Sequence, residues 1–219
     1  MPIAQDLSRG LAFARPAAQN GAMTLDTLIA LALYAFATTA TPGPNVMMLV
    51  ASGVNFGFRR SVPHMLGIGV GFTVMIALVG LGLVGLFTAW PPAQVILQVV
   101  SVGYMLWLAW KIARAAPPGD GRAAGRPLTF VQAAAFQWVN PKAWAMALTA
   151  GAVYAPGQQV GPVMIVALVF AVITLPCCAA WTAAGSGLRR WLTDPARLRW
   201  FNRGMAGALV LSLYPVLGL

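Results

Sequence analysis

Glutamate is absent from this 219-residue sequence, and its four acidic side chains are all aspartates: Asp6, Asp26, Asp120 and Asp194. With no paired carboxylates there is no general acid–base couple, and HExxH, GxSxG and phosphate-binding glycine loops are missing too. Histidine occurs once, as His64, and cysteine only as the adjacent Cys177 and Cys178. Metal sites need spaced ligands, and a disulfide between neighbouring residues is strained, so the cysteines read as apolar filler. Soluble enzyme chemistry, a metal centre and a bound cofactor are therefore not expected.

Charge of either sign is scarce. Charged residues make up 8% of the chain against about 25% in soluble domains, while 59% are hydrophobic and the mean hydropathy is +0.77. So little polar surface cannot cover a water-exposed globule, and the sequence reads as an integral membrane protein surrounded by lipid. Lys and Arg number 14, for a net charge of +10. A nucleic-acid partner would need a solvated basic face, whereas these charges lie in short clusters between apolar runs, as topology signals do.

The runs predict an all-α polytopic fold of about six transmembrane helices, over residues 25–53, 64–90, 93–110, 128–154, 160–188 and 200–219. Trp90-Pro91-Pro92 and the Pro156-Gly157 segment supply turns within long uncharged stretches. The last run is the weakest, because its fully apolar part, 204–219, is shorter than the ~20 residues a spanning helix needs. Basic residues cluster after the first run (Arg59, Arg60), the third (Lys111, Arg114, Arg122, Arg126) and the fifth (Arg189, Arg190, Arg197, Arg199, Arg203). Because cytoplasmic loops carry the excess of Lys and Arg, both termini are expected outside. Halves 23–110 and 128–219 would then each hold three spans in opposite orientation, two inverted repeats joined by a cytoplasmic linker over 111–127.

Thr41-Pro42-Gly43-Pro44-Asn45 interrupts the first run, although residues 27–58 carry no charge. Two prolines without an N–H and a glycine break the helix and free carbonyls, which hydrocarbon does not tolerate, so this backbone must line protein or a water-filled cavity. Asn140-Pro141-Lys142 interrupts the fourth run in a corresponding place. Paired broken helices in two halves point to a central solute site. Lys142 is the one charge between residues 127 and 188, and an ammonium at that depth costs about 2.5–3.5 kcal/mol unless it faces a cavity. It is a candidate to pair with a carboxylate or to exchange a proton; the alternative is snorkelling to headgroups. Asp26 and His64 are the other candidates for proton coupling, although Asp26 also suits a helix start and His64 an interface. Gly67, Gly69 and Gly71 suit close helix packing, and Gly67 with Gly71 satisfies the small-xxx-small spacing.

Ala40-Thr-Pro-Gly-Pro-Asn45, the segment from Ser52 through Gly57-Phe-Arg59-Arg60 to His64 and Gly67-Ile-Gly69, and Asn140-Pro-Lys-Ala143 together resemble the lysine-exporter (LysE/RhtB) family of bacterial amino-acid exporters. The likeness begins at Met23-Thr-Leu-Asp26 and frames nearly all of the chain that follows. It implies an inner-membrane carrier that expels small amino acids or related metabolites, driven by the proton gradient or by exchange, with a homodimer allowed by the glycine-rich faces. It also carries the family's signatures onto Pro42, Gly43, Pro44 and Asn45, and onto Asn140, Pro141 and Lys142, as substrate-binding positions.

Residues 1–22 lie upstream of the likeness and read as a disordered extension, with Met23 an alternative start. Two further readings remain open. A membrane thiol oxidoreductase or electron carrier would use Cys177 and Cys178, and a metal-cation exporter would need ligands this sequence hardly has.

Overall fold

The computed structural model describes residues 23–115 and 126–214. The expectations for 1–22, for most of the linker and for the last five positions lie outside the described residues. Every regular element among the described residues is helical.

Helix α1 (Leu25–Ala40) starts where the Thr24 hydroxyl accepts the N–H of Thr27, and Asp26 adds negative charge to its first turn, where the helix dipole is positive. Leu25, Ile29, Leu33 and Phe36 form its exposed stripe, and Leu31 and Ala35 are its buried residues. Residues 41–43 interrupt the helix, and α2 (Pro44–Phe56) leaves at 55° with Pro44 in its first turn. Gly57 ends α2 at φ +81°, a left-handed conformation that favours glycine, and directly opens α3 (Phe58–Leu78). Arg59 and Arg60 therefore sit in the first turn of α3 rather than in a loop, and the second run begins six residues earlier than its apolar character suggests.

A π-helical turn, Val79–Leu83, ends α3, and Gly82 at φ +101° bends the chain into the short α4 (Gly85–Ala89). Trp90-Pro91 then turns it into α5 (Pro92–Ala113), which continues through Lys111 into the stretch read as linker. The fourth run is split. A capping box between Thr129 and Gln132 starts α6 (Phe130–Phe136), a 3-10 turn follows at Gln137–Val139, and α7 (Pro141–Tyr154) begins after Asn140. Helix α8 (Val160–Leu188) runs as one helix through Pro176. Helix α9 (Pro195–Leu211) starts earlier than residue 200, because Asp194 caps the N–H of Ala196 at 2.8 Å and Pro195 fits the first turn.

By length and composition three helical segments, Phe58–Leu83, Pro92–Ala113 and Val160–Leu188, can cross a membrane, and α1 with α2 makes a fourth as a bent pair. The expected fourth run is divided at Asn140, and α9 has 17 residues, so neither qualifies as one long helix.

Helix α8 is the centre of the packing, against α1, α2 and α3, while α9 lies on α5 and α6 on α3. Side chains are excluded at the tightest crossing: a Cβ on Gly53 would collide with the Thr182 carbonyl, and one on Gly185 with that of Val50. Gly67 and Gly71 meet α6 in the same way, and Gly69 meets Leu175. Polar pairs join the basic end. Asn55 and Asn202 exchange amide hydrogen bonds at 3.0 and 3.3 Å, and Asn202 also donates to the Ala115 carbonyl. These bonds join the ends of α2 and α5 to α9, and Arg189 after α8 lies beside Gly57, so Arg59, Arg60, Lys111, Arg114, Arg189 and Arg190 gather at one end.

Candidate functional site

The first break loses donors at defined carbonyls. In a continuous helix the Thr38 carbonyl would accept the N–H of residue 42, which proline lacks. The single Thr41 hydroxyl proton is shared between the Ala37 carbonyl at 2.6 Å and this Thr38 carbonyl at 2.9 Å. Beyond it the Thr41 carbonyl accepts from the Lys142 ammonium at 2.7 Å, with the Thr41 hydroxyl at 3.3 Å and the Pro42 carbonyl at 3.5 Å from the same nitrogen. Gly43 makes room for this contact, since a Cβ there would stand 2.7 Å from Lys142 Cδ.

The second break is built around Asn140, which is 2% exposed and accepts the Lys142 backbone N–H at 3.1 Å, so that Pro141 and Lys142 begin α7. One turn before it, Gln137 is fully buried. Its carboxamide exchanges two hydrogen bonds with Asn45, at 2.9 and 3.2 Å, and also donates to the Ala133 carbonyl at 3.0 Å. Each break therefore supplies what the other lacks.

Between them lies a small cavity of about 40 Å³ that opens toward the surface. Gly43, Asn45, Asn140 and Lys142 line it, together with Ile68 and Phe72 of α3 and Thr174 and Cys177 of α8. Pro42, Pro44 and Pro141 shape the breaks without lining the cavity. Asp26 stands fourteen positions before Ala40, about 21 Å along α1, exposed in its first turn. His64 is buried one turn of α3 before Ile68, in the wall of a second cavity at the basic end, beside Ser52 and Asn55 and with Lys111, Arg114 and Arg126 also lining it. The structure thus brings Lys142 to the central cavity but neither Asp26 nor His64.

The Lys142 ammonium is held at the first break rather than extended away from it. Among the described residues the one ion pair joins Arg197 to Asp194, at 3.9 Å, so the Lys142 charge is met by the Thr41 and Pro42 carbonyls and the Thr41 hydroxyl. The C-terminal, negative end of the α1 dipole faces the cavity together with the N-terminal, positive ends of α2 and α7. Such a chamber offers acceptors for an ammonium and donors plus a cation for a carboxylate.

A family model described as LysE type translocator matches residues 36–214, a span that contains both breaks. The chain belongs to the LysE type translocator family. This translocator is 31% identical over 170 residues to the proteins named cysteine/O-acetylserine efflux protein in Escherichia coli (strain K12) and Shigella sonnei (strain Ss046). The Shigella flexneri protein of the same name is equally similar, and in each case the alignment takes in 77% of this chain and 87% of the relative. No solved structure matches the chain significantly. The translocator is a polytopic membrane protein that moves a solute rather than transforming one.

Three features of the site were not singled out by sequence reasoning. Gln137 carries a detectable signal, a carboxamide in an otherwise apolar run one turn before Asn140. Thr41 lies inside the proline motif, yet its hydroxyl's repair of the break depends on geometry. Thr174 looks like any threonine in a membrane helix.

Proposed function

We propose that this protein is an inner-membrane secondary exporter of small zwitterionic amino acids, with cysteine and O-acetylserine, the solutes in the names of its relatives, as the first candidates. The observation that carries this reading is the unpaired Lys142 ammonium resting on the carbonyls freed by the first break. An entering amino acid replaces that contact with two: its ammonium takes the Thr41 and Pro42 carbonyls, and its carboxylate takes Lys142 and the N–H groups at the starts of α2 and α7. Asn45 and Asn140 orient the two charged groups. Every charge keeps a partner throughout the exchange, which a low-dielectric site requires.

The basic end faces the cytoplasm and both termini lie outside, following the distribution of Lys and Arg. Transport is coupled to the proton gradient or to exchange. Of Asp26, His64 and Lys142, the last alone touches the cavity and is the preferred coupling group. The thiol-carrier reading is weaker, because Cys177 and Cys178 are adjacent free thiols in the buried wall of α8.

The test is efflux from proteoliposomes loaded with labelled cysteine or O-acetylserine. Lys142→Met keeps the side chain's length and removes its charge. Export is expected to fall at least about tenfold, as for loss of a charge-assisted contact of about 1.5–3 kcal/mol, at equal protein incorporation. Export by the variant at the normal rate rules out the role given to Lys142.

A further inference from the structure

Most buried hydroxyls among the described residues are bonded to their own helices, and Ser52 meets the Ser61 hydroxyl across α2 and α3 at 2.8 Å. Thr38 donates to the Tyr34 carbonyl at 2.7 Å, Thr73 to that of Gly69 at 2.8 Å, and on α8 Thr182 donates to Cys178 at 2.8 Å and Ser186 to Thr182 at 2.9 Å. This return to the preceding turn is the usual resource of a hydroxyl in a helix, and in hydrocarbon it is the cheapest one. Two hydroxyls have no partner of either kind. Among the described residues, Thr39 and Thr174 hold the buried hydroxyl oxygens that have no hydrogen-bond partner.

Both belong to the wall of the central cavity. Thr39 is in the last turn of α1, beside the first break, and Thr174 is on α8, which packs against α1. Thr174 is 2% exposed and so has no bulk water to turn to. Two unrelated helices each leave one hydroxyl unsatisfied, and both do so at the same chamber. A packing role does not explain this, since valine would fill the same volume without an orphaned oxygen.

We infer that Thr39 and Thr174 form a side-chain subsite that reads a polar atom near the substrate's β-carbon: a hydroxyl, a thiol or an ester oxygen. The inference rests on the exporter reading, which assigns the breaks to the amino and carboxyl groups and leaves the side chain to the remaining walls. A hydroxyl both donates and accepts, so the pair suits any of these groups. Ile68 and Phe72 add apolar wall to the same cavity and favour short side chains. Aliphatic amino acids of the same size leave both hydroxyls unmatched, which is the condition under which a polar pocket discriminates best.

The experiment compares export of serine and 2-aminobutyrate, which differ by a hydroxyl in place of a methyl group, from proteoliposomes containing the full chain. Thr39→Val and Thr174→Val make the same exchange on the protein, and Thr174→Ser restores the hydroxyl. The native protein is expected to prefer serine by about tenfold or more. Each valine variant should lower that ratio by about 3- to 10-fold, the loss of one neutral hydrogen bond, and the serine variant should keep it. Thr174→Val should also raise Tm rather than lower it, because it removes an unpaired buried oxygen. An undiminished ratio in both valine variants, or a native protein that exports the two solutes equally, overturns the subsite while leaving the exporter reading intact. Failure of the native protein to export any of serine, 2-aminobutyrate, cysteine and O-acetylserine overturns both.

Discussion

The carboxamide pair between Asn45 and Gln137 is a direct test of the claim that the two breaks hold each other. Its two hydrogen bonds, at 2.9 and 3.2 Å, are neutral and shielded, and Gln137 has no exposed surface. Neutral hydrogen bonds contribute about 0.5–1.5 kcal/mol each, and polar contacts within membranes average about 0.6 kcal/mol, so the pair should couple by roughly 1–3 kcal/mol. Asn45→Ala removes both bonds but leaves Gln137 its bond to the Ala133 carbonyl. Gln137→Ala removes these and that third bond, and adds a void, so it should be the more damaging single change. The double variant should cost less than the sum of the singles by the coupling energy. The measurement is unfolding in mixed micelles titrated with denaturing detergent, followed by intrinsic fluorescence, for the four members of the cycle. Additivity within about 0.3–0.5 kcal/mol, the behaviour of independent sites, would refute the idea that the breaks are joined through this pair.

Further outcomes follow from the same architecture. Gly53→Ala and Gly185→Ala each drive a methyl group into a facing backbone carbonyl, and each should destabilise by about 1–3 kcal/mol as an overpacked contact, seen as a lower Tm and less folded protein in membranes. With Cys177 and Cys178 both changed to Ala, export should persist near the native rate; its loss would favour the thiol carrier. In that cysteine-free background, Gln158→Cys should react with a membrane-impermeant thiol reagent on intact cells, and Ala115→Cys only after permeabilisation. The opposite pattern would reverse the orientation.

Most of the helical order was legible because apolar runs and their punctuation are local properties. Val160–Leu188 is uncharged and closed by Arg189 and Arg190, and its bounds agree at both ends with those read from sequence. The differences arise where a terminus is set by backbone chemistry rather than by hydropathy. Gly57 is a one-residue turn because it takes up a positive φ, so charge alone misplaced the start of α3. Asp194-Pro195 opens α9 before its apolar stretch begins, which is why hydropathy placed that start too late. The π-helical turn at Val79–Leu83 depends on Gly82 adopting φ +101°, and nothing in the spacing Gly80-Leu81-Gly82 dictates which glycine bends.

The site divides along a different line. That Pro42, Pro44 and Pro141 break their helices follows from the missing N–H groups, and that Lys142 needs a partner follows from the cost of a charge among apolar residues. Which groups satisfy those needs is a tertiary fact. The oxygen that receives Lys142 belongs to Thr41, 101 positions away, and the amide that matches Asn45 belongs to Gln137, 92 positions away. One break has surplus acceptors and the other a surplus donor, so joining them removes two penalties that neither half can remove alone. The same complementarity makes the chamber exchangeable. A ligand bearing its own ammonium and carboxylate offers each partner an equivalent replacement, whereas a simple cation would compete with Lys142 without satisfying it. On the proposed mode of binding, selection for zwitterions follows from this complementarity and requires no additional charged residue.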